Sequence, residues 1–195
     1  TVMQYQWNAV ELDGKWYAVD CTWDDPTGSV SLAFVRHDYF LVGTETKTLG
    51  GTSTYGQDHI TYSTVNIPRI NSKGLALLSG VSGADSIYDG APHGISGEPA
   101  ATHGGSETGG DFSISYYKRS PGGAWESIGT SAPVDAGSYM ARVSLAHSEY
   151  EGNQAYTYEI TPAVLSGDAI VMDPSDARNS GAAVTKEVAV TYGGR

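Results

Sequence analysis

The sequence predicts a mainly β protein, and three observations carry that expectation. Two runs rich in aromatic and β-branched residues, 5–12 and 15–23, flank the dipeptide Asp13-Gly14, which suits a type I′ hairpin turn. From about Leu75 onward, short apolar-alternating segments recur between turn residues, the pattern of a β-sandwich. No segment carries a convincing 3.6-residue apolar period, so little helix is expected.

The hairpin comes first in the chain. With Asp13-Gly14 as a two-residue loop, cross-strand partners pair Trp7 with Asp20, Ala9 with Ala18 and Glu11 with Trp16. Side chains alternate between faces in a strand. Tyr5, Trp7, Ala9, Glu11, Trp16, Ala18, Asp20 and Thr22 therefore share one face, with Tyr5 and Asp20 as diagonal neighbours. Cys21 is expected on the opposite face as a buried structural thiol.

After the Asp24-Asp25-Pro26 turn, the apolar runs at 31–35 and 38–42 read as buried strands or strand-like segments. Residues 43–60, rich in Gly, Thr and Ser, read as loop, and 61–70 as an edge strand confined by Pro68. Residues 71–74 read as a linker. Strands are then expected at 75–81, 111–119, 138–146, 155–162, 169–173 and 186–192, with the glycine-rich stretch 97–110 as an exposed loop. In the segment entered through Asp135-Ala136-Gly137, Tyr139, Ala141, Val143 and Leu145 share one face. Residues 164–195 are too short for a complete sandwich and read as the start of a further repeat or a C-terminal hairpin.

Composition narrows the functions. The chain has 195 residues and a formal net charge of −11, with only 11 Lys and Arg scattered along it, so no nucleic-acid partner is expected. Cys21 is the only cysteine, which excludes an internal disulfide. No run of about 18 apolar residues exists, so no transmembrane segment is expected. Any signal or anchor is expected outside this chain. The acidic runs lack calcium-loop spacing, and the histidines lack metal-ligand spacing, so neither a metal nor a cofactor is expected.

Two resemblances follow from particular motifs. W-N-x-V-x-L-D-G-K-W-Y-x-V-D-x-T-W-D-D-P at Trp7 to Pro26, with D-Y-F-L-V at Asp38 to Val42, resembles the C-terminal part of a bacterial transglutaminase-like domain, within the transglutaminase and cysteine-protease superfamily. The resemblance implies a cysteine nucleophile at a helix start, a histidine base two residues before the Trp-Asn pair, and an aspartate that orients the base. A carboxylate behind an imidazole holds its useful tautomer, and the imidazole takes the thiol proton. Carried over, the orienting residue is Asp20, whereas the base position holds Tyr5, a poor base at neutral pH. The resemblance places the helical half with the nucleophile before residue 1. His37 and His59 carry no orienting motif and are assigned no catalytic role.

The second resemblance covers about 75–163. Y-D-G at Tyr88 to Gly90, S-Y-Y-K at Ser115 to Lys118, A-P-V-D-A-G-S-Y at Ala132 to Tyr139, E-Y-E-G-N at Glu149 to Asn153 and Y-E-I-T-P-A at Tyr158 to Ala163 resemble the MBG-type immunoglobulin-like repeats of bacterial surface proteins. These imply a structural or adhesive module without catalytic groups.

Together the two imply a transglutaminase-like β-subdomain remnant at 1–73 followed by an Ig-like β-sandwich at 74–163, in an extracellular or cell-surface setting. The leading expectation is a non-catalytic fragment or degenerate relative of a secreted bacterial surface protein. One alternative is a hydrolase or acyltransferase using the Tyr5/Asp20 region. The other is a glycan- or protein-binding module, for which Trp7, Trp16 and Trp23 are the candidate contacts if exposed, although core packing is the favoured role for such aromatics. Exposed strand edges make homo-oligomerisation a further expectation.

Overall fold

The computed structural model describes residues 7–25, 37–48, 51–59 and 67–164, and the backbone of two short strands at 170–171 and 189–190. The protein is mainly β, with two single-turn helices among the described residues. Strands β1 (Asn8–Leu12) and β2 (Lys15–Val19) pair antiparallel in the expected register, Ala9 opposite Ala18 and Glu11 opposite Trp16. Asp13 and Gly14 both adopt positive φ, +51° and +75°, as a type I′ turn requires.

The strand ends sooner than its alternation predicts. Asp20 becomes the N-cap of helix α1 (Cys21–Asp24), its carboxylate accepting from the Thr22 and Trp23 amides. A short acidic side chain competes for the amides two and three residues on, and so turns the chain out of the sheet. Two expectations fail for this reason. Thr22 is not on the hairpin face, and Cys21 is exposed, not buried.

The 38–42 segment is not a regular strand, because Leu41 takes φ +51°. It still lies against β2 in strand-like fashion, Val42 exchanging two 2.9 Å backbone hydrogen bonds with Ala18. The segment 31–35 lies outside the described residues. Within the stretch read as loop are β3 (Lys47–Thr48) and β4 (Ser53–Thr54), paired antiparallel, and helix α2 (Tyr55–Asp58). Gln57 Oε1 accepts from the Thr54 amide, half of the reciprocal contact that starts a helix. The polar residues that suggested a loop are committed locally, since the Thr48 and Ser53 hydroxyls both donate to Asp58.

Of the expected strand 61–70, residues 61–66 lie outside the described set, and the remainder is bridged to the hairpin at Trp16–Ile70. The segment read as a linker is clasped on both sides. Asn71 and Ser72 accept from the Thr44 and Glu45 amides at 2.8 Å, and the Leu75 amide donates to Leu41. Gly43 permits this approach: a Cβ there would lie 2.4 Å from the Ser72 carbonyl oxygen.

The remaining elements are β5 (Gly74–Leu75), β6 (Leu77–Ser82), β7 (Ser86–Ile87), β8 (Ser96–His103), β9 (Ser106–Glu107), β10 (Asp111–Arg119), β11 (Trp125–Gly129), β12 (Gly137–Ala146), β13 (Tyr150–Glu151), β14 (Asn153–Thr161), β15 (Ile170–Val171) and β16 (Ala189–Val190). One sheet has the order β11-β10-β12-β14-β7 and another the order β6-β8-β9. The stretch 97–110 is therefore largely the β8–β9 hairpin rather than a loop. Its glycine and proline are tolerated at an irregularity opposite Gly80. Gly80 and Gly97 both have positive φ, and a Cβ on either would sit 2.2 Å from a carbonyl oxygen across the pair. Strand β11 went unforeseen because it is an exposed edge with no alternation to read. Of the strands expected at 169–173 and 186–192, the described residues form the antiparallel β15–β16 pair, and the rest lie outside the described residues.

Tyr139, Ala141, Val143 and Leu145 are all buried on one face of β12, as expected. Tyr116, Tyr139, Ala141, Tyr158 and Ile160 form one apolar cluster. Ala76, Ala101 and Leu145, with Leu78 and Phe112, join the three-stranded sheet to the five-stranded one. Buried tyrosine hydroxyls need partners, and here Tyr139 donates to the Asp135 carbonyl and Tyr158 to that of His93.

Glu151 fastens the opening hairpin to this β structure. Its carboxylate accepts from Lys15 Nζ at 2.7 Å, the Tyr17 hydroxyl at 2.8 Å and Asn71 Nδ2 at 3.0 Å. Burial, then the Glu151 carboxylate, raises the Tyr17 pKa, so the phenol stays a donor. Glu151→Ala removes the acceptor of the Tyr17 hydroxyl and one of the two acceptors of Asn71 Nδ2, and we expect a loss of about 1–3 kcal/mol in chemical denaturation. Glu151→Gln, which still accepts from Tyr17, should lose less.

Candidate functional site

Asp20 is the centre of the candidate site. The carboxylate is wholly buried, with Oδ1 taken by the Thr22 and Trp23 amides at 2.9 and 3.2 Å. Oδ2 lies 2.7 Å from His59 Nε2, and both side chains are buried, 0% and 4% exposed. His59 arrives as the C-cap of α2, its amide donating to the Tyr55 carbonyl. The imidazole stacks on the Tyr55 ring at 4.2 Å and is flanked by Trp23, Tyr39 and Trp7. A helical turn after a two-strand ribbon thus carries the histidine back over the hairpin.

An ionised carboxylate only accepts, so His59 donates through Nε2 and Nδ1 holds the lone pair of the neutral ring. That Nδ1 is buried and has no hydrogen-bond partner among the described residues. A carboxylate held behind an imidazole is a geometry in which the ring can accept a proton at its other nitrogen. Among the described residues no hydroxyl or thiol is hydrogen-bonded to Nδ1.

Other polar groups brace the same cluster. Asp24, a second buried carboxylate, accepts from the Tyr39 amide at 3.0 Å. Burial pushes its carboxyl up to about 6, against the opposing pull of the Tyr39 N–H and of His37. Tyr39 donates to Asp58, and the hydroxyl of Tyr55 is buried without a partner among the described residues. Burial, followed by the Asp20 charge, raises the Tyr55 pKa.

Tyr5 lies outside the described residues. Trp7 and Trp23 are half-buried and pack on the Ala18, Tyr39, Val42 and Tyr55 cluster, so they have a core role. Trp16 lines a cleft, a space of about 640 Å³ shared with Lys15, Glu45, Ile67 and Arg69. Cys21 is exposed at the start of α1. Sequence reading missed His59, which is 39 residues from Asp20. The only hint was an aspartate with a strong orienting motif and no histidine at the expected place.

Among the described residues no group of three or more His, Cys, Asp or Glu is placed to hold a metal ion. No described helix is long and apolar enough to cross a membrane. Comparisons with protein-family models, with curated proteins and with solved structures found no match.

Removing the ring tests its structural share. His59→Ala exposes one side of a buried carboxylate to an empty cage, and we expect a loss of about 2–4 kcal/mol in denaturant titration. Asp24 has the opposite sign. Its raised folded pKa means that the carboxyl favours folding fully below about pH 3.8 and that this is lost as pH rises through about 6. Asp24→Asn keeps the acceptor for Tyr39 and should stabilise the protein at pH 7.5 by on the order of 1–2 kcal/mol. The gain should vanish by pH 4 in paired thermal melts.

Proposed function

We propose that this chain is a non-catalytic, degenerate part of a secreted bacterial cell-surface protein. It joins a transglutaminase-like β-subdomain, at about 1–73, to an Ig-like MBG-type module, at about 74–163, that serves a structural or adhesive role. The observation carrying this reading is the state of Asp20. Both of its oxygens are committed, and the aromatic cage closes over its histidine partner. A group so enclosed stabilises two helical turns, and its carboxylate partners among the described residues are the Thr22 and Trp23 amides and His59. The two sequence resemblances agree on an extracellular bacterial setting. An extracellular protein or glycan ligand would meet the chain at Trp16, which lines a cleft.

A second reading draws on the lone pair of His59 Nδ1. An imidazole held by a buried carboxylate is the base half of a hydrolase or acyltransferase, with the nucleophile brought by another segment or chain.

Purified protein assayed for thiol-dependent amidase, transamidase and esterase activity separates the two. We expect no turnover above buffer. Turnover that is abolished by Cys21→Ala, or by His59→Asn with the fold retained in circular dichroism, would establish the second reading instead. For the binding role, Trp16→Ala should abolish any glycan-array or pull-down signal given by the unmodified chain.

A further inference from the structure

His103 closes β8 at the seam between the hairpin region and the sheets. Its Nδ1 donates to the Leu75 carbonyl at 2.7 Å, and its ring tilts over Tyr150 at 4.6 Å. Leu75 in turn donates its amide to Leu41 at 2.9 Å, and so ties the 37–42 segment to β5. The next residue, Gly104, packs so tightly on His37 that a Cβ would come 2.3 Å from the His37 Cβ. One imidazole therefore secures the strand that both regions share. Its other nitrogen, Nε2, is buried with no partner among the described residues.

We propose that His103 is an acid-sensitive catch on this seam, closed while the ring is neutral and opened when Nε2 takes a proton. Donation from Nδ1 fixes Nε2 as the lone-pair nitrogen of the closed state. A proton there creates both a buried charge and an N–H with nothing to receive it, and either is costly away from water. The relevant groups come from three sides. His37 and Asp38 belong to the segment under Gly104, the Leu75 carbonyl lies on β5, and Tyr150 with its neighbours His147 and Glu149 lies beyond the ring. Burial is the dominant influence and lowers the His103 pKa. The Leu75 carbonyl and Asp38 pull it up, and His37 pushes it down.

The sign follows. A histidine whose folded pKa is depressed contributes stability that is present above its unfolded value of about 6.5 and is lost as pH falls below it toward the folded value. In that window the open population rises by up to about tenfold per pH unit. Acidification therefore loosens the connection between the two regions before the sheets themselves open.

Amide hydrogen exchange on the whole chain between pH 7.5 and 5, corrected for intrinsic rates, tests this. The protection factor of the Leu75 amide should fall by up to about tenfold per pH unit below about 6.5, while that of Val143 in β12 stays level. In His103→Asn, whose side-chain amide can replace the Nδ1–H donor, the Leu75 factor should be independent of pH. Flat protection in the unmodified chain, or the same fall in His103→Asn, would overturn the proposal. If His103→Asn fails to fold, an NMR titration of the His103 ring decides: a midpoint below about 6.5 supports the catch, and one at or above it refutes it.

Discussion

The buried Asp20 carboxylate is the constraint from which the first half of the molecule follows. Its Oδ1 ends β2 by capping α1, and its Oδ2 draws His59 and helix α2 across the hairpin. A carboxylate removed from water must have its acceptor sites filled. Filling them positions Trp7, Trp23, Tyr39 and Tyr55 around one imidazole. The aromatic cage is therefore a consequence of a polar requirement as much as of apolar burial. The same saturation leaves His59 Nδ1 as the acceptor of the pair without a partner among the described residues.

The second half is organised differently, by an apolar layer between sheets. Its tyrosines supply large rings to the core while their hydroxyls bind backbone carbonyls nearby, as Tyr139 does with Asp135. The two halves meet through polar contacts that include Glu151 below the hairpin, the clasped backbone of 71–75, Glu149 beside Lys47, and His103 beside Leu75. Such a seam is cohesive and also chemically adjustable, because each of its members is a hydrogen-bonding group rather than a packed methyl.

Much of this architecture was legible in the sequence wherever neighbours decide the outcome. Asp13-Gly14 fixed the hairpin register, and the alternation from Tyr139 to Leu145 marked the buried face of β12. What escaped reading depends on distant or mixed signals. Gly97 and Pro99 look like loop residues, and they are tolerated in a strand only because Gly80 lies opposite. Cys21 followed strand parity until the Asp20 side chain captured the local amides. His59 sits in a polar stretch without a motif, and its pairing is made by a tertiary turn. Of the buried pair, the sequence motif pointed to the carboxylate and nothing local pointed to the imidazole.

The Glu151 clasp has a kinetic meaning as well. It joins groups 134 and 136 residues apart, so the hairpin leaves the ribosome well before its fastener has been made. At ordinary synthesis rates that delay is roughly 7–27 s. A two-stranded hairpin alone is marginal in water, and long-range contacts form late because loop closure must precede them. The opening strands, which look most complete in the sequence, are therefore among the last parts of the molecule to become secure.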